Sequence, residues 1–282
     1  MTESPRHGTS LLAAVWRRAP GRAGLIALAV VVAAAVASPA FLPSPIEQPD
    51  IEHASQPPSA AHPLGTDQLS RDVLSRVANG GRVSLAVAAI AVTLSITIGA
   101  LVGLGAGYWG GAADAVAMRI VDAALAIPRL FLLLLLLAMW EAIPPAAFVL
   151  VVGVTGWFGT SRLVRAEVLR LRESDYVAAA HGLGARAGRV MFRHLLPNAL
   201  GPLLVAATLG VGEVILLEAG LSFLGLGLRP PRPSWGGMIF EGRATLVTAP
   251  WATMFPAIAI TVTVLAVNLI GDALRDALDP HR

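Results

Sequence analysis

Apolar residues run along this chain in long blocks, and the charged residues collect between them. A helix of about 20 apolar residues spans the hydrocarbon core of a bilayer. Six blocks approach that length, at 25–42, 83–108, 120–140, 146–160, 198–228 and 250–270, the fourth being short unless it is stretched to Leu163. A backbone in lipid must satisfy its own hydrogen bonds. The pattern therefore predicts an all-α integral membrane protein with six transmembrane helices. Within the second block Gly99, Gly103 and Gly107 recur every four residues on one face, where small residues let helix backbones approach closely. Close packing is their expected role, and bordering a solute path is the alternative.

The segments between the blocks set the topology. Residues 1–23 carry Arg6, Arg17, Arg18 and Arg22 against Glu3, which predicts a cytoplasmic amino terminus. The first block also imitates a secretory signal with an Ala-Val-Ala-Ser cleavage box, but its apolar run continues to Leu42. Residues 43–82 are rich in proline and acid, as an external, largely irregular segment would be. Residues 109–118 read as a short turn. Pro128 should kink or break the third block; Asp122 and Arg129, seven residues apart near its cytoplasmic end, could pair or sit at the membrane interface, and the interface is preferred because charges in lipid are costly. The connection 161–197 holds seven arginines against three acids. It is cytoplasmic by the positive-inside rule and equally by counting four spans from the amino terminus. A short cytoplasmic tail ends the chain. Arg229, Arg232 and Arg243 fall outside in this topology, against the rule.

Composition sharpens the picture. Only 14% of the 282 residues are charged and 55% are hydrophobic. With no cysteine, disulfides and thiolate zinc sites are excluded. All 21 basic residues are arginine. A phosphate-binding GxxxxGK[ST] loop needs lysine, so ATP hydrolysis cannot reside in such a loop here. Net charge is only +3, and the arginines flank apolar spans, so nucleic acid is not an expected partner. Glu213 and Glu218 are acids inside the fifth block, candidates for a translocation or gating role or for a hydrogen bond in helix packing. His62, Asp67 and Asp72 are explained by turns and capping rather than metal binding.

The most informative polar stretch is 174–197, SDYVAAAHGLGARAGRVMFRHLLP. Ser174 can cap a short helix with Asp175 in its first turn, and Gly182 or Gly184 can end it. Ala178, Ala179 and Ala180 leave that helix thin enough to enter a groove. A second helix over 185–196 would place Arg186, Arg189 and Arg193 on one face, and Pro197 would open the next helix. An ordinary cytoplasmic loop is the competing reading. Ala179-Ala180, Gly184 and Leu196-Pro197 resemble the EAA loop of bacterial ABC importer permeases, although Ala178 stands where the family has Glu and His194 where it has Ile. Residues 62–76, with HPLGTD followed by SRDVLSR, resemble the signature preceding the core of C-type permeases of dipeptide, oligopeptide and nickel importers, Ser70 replacing the usual glycine. Residues 222–238, SFLGLGLRPPRPSWGGM, resemble the signature at the outer end of that family's fifth span, with Trp235 suited to the membrane interface.

The resemblance implies a type I ABC importer permease core at 83–272, preceded by a first span and external segment at 1–82 and followed by a tail at 273–282. It implies half of a translocation path in the bacterial inner membrane, with both termini cytoplasmic and the solute a di- or oligopeptide, nickel or another small molecule. Its implied partners are a homologous B-type permease, two ATPase subunits that hold the ATP and magnesium, an extracytoplasmic binding protein and membrane lipid, with no cofactor on this chain. Asp175, Tyr176, Ala178, Ala179, Ala180, Gly182, Gly184, Arg186, His194 and Pro197 would form the ATPase-coupling site. A secondary transporter would need inverted repeats and ion-coordinating breaks. A membrane enzyme would need a reactive constellation inside the spans, but all six histidines lie outside them.

Overall fold

The computed structural model describes residues 11–42, 44, 53–228 and 231–278. Arg6, Arg229 and most of the proline-rich run at 43–52 lie outside the described residues. Helix α1 (Leu11–Arg17) leads into α2 (Ala19–Phe41), the first span. After the proline-rich segment comes α3 (Val73–Trp109), then α4 (Gly111–Leu125) and α5 (Arg129–Leu137). Next are α6 (Pro145–Val154) and α7 (Trp157–Leu171), which together make one apolar span of 27 residues. Helices α8 (Asp175–Gly182) and α9 (Ala187–Val190) follow, and α9 passes through a π-helical turn (Met191–Leu195) into α10 (Leu196–Phe223). Helices α11 (Trp235–Gly242) and α12 (Trp251–Leu278) complete the bundle.

Five helical stretches are long and apolar enough to cross a membrane, and α4 with α5 makes a sixth, bent by 81°. The break falls at 126–128, ahead of Arg129, because Pro128 cannot donate to the α4 ladder. The third block is thus two helices, and the turn expected at 109–118 shrinks to Gly110 and Gly111, both with positive φ. Asp122 and Arg129 do not pair with each other: Asp122 meets Arg162, and Asp114 of the same helix meets Arg165 on α7.

Three boundaries move for a common reason: hydropathy marks where an apolar block ends, and a helix can run on past it, packed against the rest of the protein. Helix α3 starts ten residues before the apolar block, so residues 73–82 are helical and the division at 82 cuts it. Helix α7 continues to Leu171, so the arginine-rich connection begins with helix rather than loop. Helix α12 reaches Leu278 and buries Ala273 and Leu274 against Val15, so most of the predicted tail is part of the bundle. The fifth span ends earlier than expected, at Phe223.

The central core joins α3, α5, α6, α10, α11 and α12 around Val87, Leu133, Phe148, Ile215, Trp235 and Ile260. The glycine stripe of α3 packs on α7. A Cβ at Gly99 would sit 2.6 Å from Thr160 Cβ, and one at Gly107 2.9 Å from Val168 Cβ. Close packing is therefore what these glycines supply. At one end Arg18 pairs with Asp276 at 2.6 Å, bringing the described beginning of the chain to the end of α12. The α8–α9 segment lies at that same end, since Gly201 of α10 faces Leu278.

At the opposite end the HPLGTD segment is ordered by polar contacts. Asp72 caps α3 by accepting from Ser75 N at 2.7 Å, and His62 Nδ1 lies 2.9 Å from Asp72 Oδ2. Gly65 has φ +76 and lies so close to Trp251 that a Cβ would be 2.7 Å from Nε1. Asp67 accepts from the Leu69 and Arg71 amides and from Arg71 Nε at 2.7 Å. Arg76, 1% exposed, bridges Asp67 at 3.1 Å and Glu241 at 3.0 Å. Burial pushes the Glu241 carboxyl above its usual range, and Arg71 draws it back.

Candidate coupling loop and intramembrane charges

Helix α8 is eight residues long with a defined stop. Gly184 takes φ +77 and donates to His181 O at 2.9 Å, while Ala185 N reaches Ala180 O at 3.0 Å. These are the two bonds of a Schellman cap, which satisfies the last carbonyls and favours glycine at this position. The beginning differs from expectation. Ser174 occupies the capping position, but its hydroxyl donates backwards to Leu171 O at 2.5 Å and does not cap.

One face of α8 is anchored and the other is open. Val177 and Ala180 are buried, and Val177 joins a cluster with Val168 and Leu171 of α7, Val190, Met191, and Leu104 of α3. His181 stacks on Tyr108 at the end of α3, with centroids 6.2 Å apart, and Arg172 donates to Gly107 O at 3.1 Å. Asp175, Tyr176, Ala178, Ala179, Gly182 and Gly184 are exposed, as is Arg186 beyond the cap. Leu183, between the two glycines, is 90% exposed, and Phe192 also points outward. A thin alanine surface with an apolar tip, rigidly tied to three spans, is suited to docking against another protein.

The segment after α8 is not a separate helix ended by Pro197. Arg186 is extended and only caps α9. From Ala187 the chain is helical to Phe223, with the π turn just before Pro197. The wider turn is where the ladder adjusts to a residue with no amide hydrogen, Leu196 N bonding to Met191 O. Asn198 donates its side-chain amide to His194 O at 2.6 Å. His194 is half-buried and Pro197 exposed.

The two acids of α10 have opposite surroundings. Glu218 is 1% exposed and accepts from Ser222 at 2.8 Å, Ser234 at 2.9 Å and, more weakly, Ser84 at 3.4 Å. Ser84 in turn accepts from Trp235 N, and Trp235 Nε1 donates to Val77 O. Trp235 is thus a core residue and not an interfacial one. The Glu213 side chain is 63% exposed and pairs with Arg129 at 2.7 Å. Arg129 also donates to Val152 O at 2.8 Å, and its buried Nε has no partner among the described residues.

Residues 95–282 match the model of the family described as "Binding-protein-dependent transport system inner membrane component". The chain belongs to this family. Among relatives, a peptide permease protein of Brucella suis biovar 1 is 44% identical over 92% of this chain and 86% of its own length. The oligopeptide transport system permease protein OppC of Bacillus subtilis is 39% identical over 91% and 84%, respectively. The dipeptide transport system permease protein DppC of Alkalihalophilus pseudofirmus is 40% identical over the same shares.

This permease is a multi-pass component of an ABC importer with the type I core, and membership removes the secondary-transporter and membrane-enzyme readings. A binding-protein-dependent system implies a substrate-binding protein and an ATPase as partners. Of the residues singled out in the sequence, Asp175 to Gly184 and Arg186 gather at one exposed knob, whereas His194 and Pro197 lie beyond it on the continuous helix. Sequence reasoning missed the anchors Tyr108 and Arg172, the apolar tip Leu183, and Arg129 as the partner of Glu213. Leu183 had a visible signal, a lone large apolar residue between two glycines in a polar loop. The other three depend on pairing across distant helices.

Proposed function

We propose that this permease forms half of the translocation path of an ATP-driven importer for di- or oligopeptides. It pairs with a homologous B-type permease and takes solute from an extracytoplasmic binding protein. Two separate ATPase subunits carry the ATP and magnesium, and no cofactor resides on this chain. The peptide assignment is supported by relatives named as oligopeptide and dipeptide transport permeases and aligned over nine-tenths of the chain. The observation that carries the coupling role is the open face of α8, opposite a buried face fixed to α3 and α7. The arginine-rich end, with the described beginning of the chain and the end of α12, faces the cytoplasm by the positive-inside rule.

ATP binding would close the ATPase dimer and move α8, which cannot shift alone because Val177, Tyr108–His181 and Arg172 tie it to the spans. The bundle would then move as a rigid body to open the path outward, with no covalent chemistry on this chain. Glu213 with Arg129 would line that path, because an exposed ion pair in the middle of a span is costly against lipid. Glu213 lies ten residues from the outer end of α10, or about 15 Å along its axis.

The test is co-purification from the native membrane in mild detergent, with transport measured in parallel. A P-loop ATPase and a second permease should copurify with the wild type. Ala179→Glu, which puts a charge on the open face, and Gly184→Leu, which strains the cap, should lose the ATPase while still inserting. Unchanged copurification and transport in both variants would overturn the coupling assignment.

A further inference from the structure

At the end of the bundle away from α8, a cavity of about 1210 Å³ opens between α2, α3, α6 and the connection after α10. Its head is polar. Asn79 and Arg82 of α3 face it together with Arg232 of the connection, and both arginines are exposed with no ion pair to any described residue. No described residue lining the cavity is acidic. Below Arg82 the α3 wall is apolar through Ala86 and Ile90 to Leu94, and the walls from α2 and α6 are apolar as well. From Arg82 to Leu94 is about 18 Å of helix, close to the roughly 15 Å of one hydrocarbon leaflet.

We infer that this groove is a binding site for an anionic phospholipid, its phosphate held between Arg82 and Arg232 and an acyl chain lying along Ala86, Ile90 and Leu94. Charge and shape agree at each depth. Two guanidiniums with no ion pair among the described residues sit where a headgroup would, and guanidinium is suited to two-pronged contact with phosphate oxygens. The apolar wall begins one residue below Arg82 and is one leaflet deep. The site also accounts for Arg232, which the positive-inside rule leaves unexplained at this end of the bundle.

Native mass spectrometry of the assembled complex tests this, after delipidation and titration with phosphatidylglycerol or, separately, phosphatidylethanolamine. The wild type should retain phosphatidylglycerol preferentially. The double variant Arg82→Gln/Arg232→Gln should lose the preference by about tenfold, because both two-pronged contacts to the phosphate are removed. Ala86→Trp, which fills the apolar groove and leaves both charges, should lower retention of both lipids. Arg243→Gln, at the same end but stacked on Phe240 outside the groove, should leave binding unchanged. Equal retention in all variants overturns the site. So does lipid binding seen only when the second permease is absent, since the groove would then be a subunit interface, or displacement of lipid by a transported peptide.

Discussion

Replacing Glu218 separates a structural carboxylate from a transport one. In Glu218→Ala the hydroxyls of Ser84, Ser222 and Ser234 lose their acceptor inside a closed site. Ser222 on α10 and Ser84 on α3 can each turn to the carbonyl one helical turn back, so the Ser234 hydroxyl remains stranded. At about 1–3 kcal/mol for each unsatisfied buried group, with a further term for the cavity, the loss should be about 3–5 kcal/mol. The midpoint of thermal unfolding should fall on the order of 10 °C. Glu218→Gln keeps one carbonyl oxygen for Ser222 and Ser234 and turns its amide toward Ser84. It should cost less than about 1 kcal/mol and leave transport intact. The assay is a thermal melt in mild detergent followed by size-exclusion recovery, paired with uptake in reconstituted vesicles. If Gln abolishes uptake at an unchanged midpoint, the charge itself is needed and the packing account fails. An unchanged midpoint in the Ala variant would refute the hydrogen-bond cluster directly.

Ser70 adopts φ +58 and buries a hydroxyl with no described partner; Ser70→Gly should raise stability by about 1 kcal/mol in the same melt, the relief of left-handed strain exceeding the added chain entropy. Arg76→Met would leave Asp67 and Glu241 with Arg71 alone, and a loss of about 3 kcal/mol is expected, checked by melt midpoint and by protease cutting in the segment before α3. Because the chain has no cysteine, Glu213→Cys provides a single thiol. A water-soluble maleimide should label it in the assembled transporter if it lines the path, and complete protection throughout the transport cycle would place it against lipid or a subunit interface.

The sequence alone determined the six apolar blocks, the all-helical class and the position of the short helix α8. Each is a local consequence of composition: an apolar run must become a helix in lipid, and Gly184 marks the stop of α8 because its left-handed cap suits no other residue as well. Helix ends were less legible, since α3, α7 and α12 outrun their apolar blocks into mixed sequence held by packing within the protein, where hydropathy is silent. Pro128 announced a break but not its 81° bend, which depends on how α5 packs against α6. What only tertiary structure decided is the meaning of each charge. Glu213 and Glu218 stand five residues apart on one helix with the same side chain. One faces outward beside Arg129 and the other is enclosed by three serines from α3, α10 and the connection before α11. Those partners come from up to 134 residues away, and only the closed bundle brings them within reach.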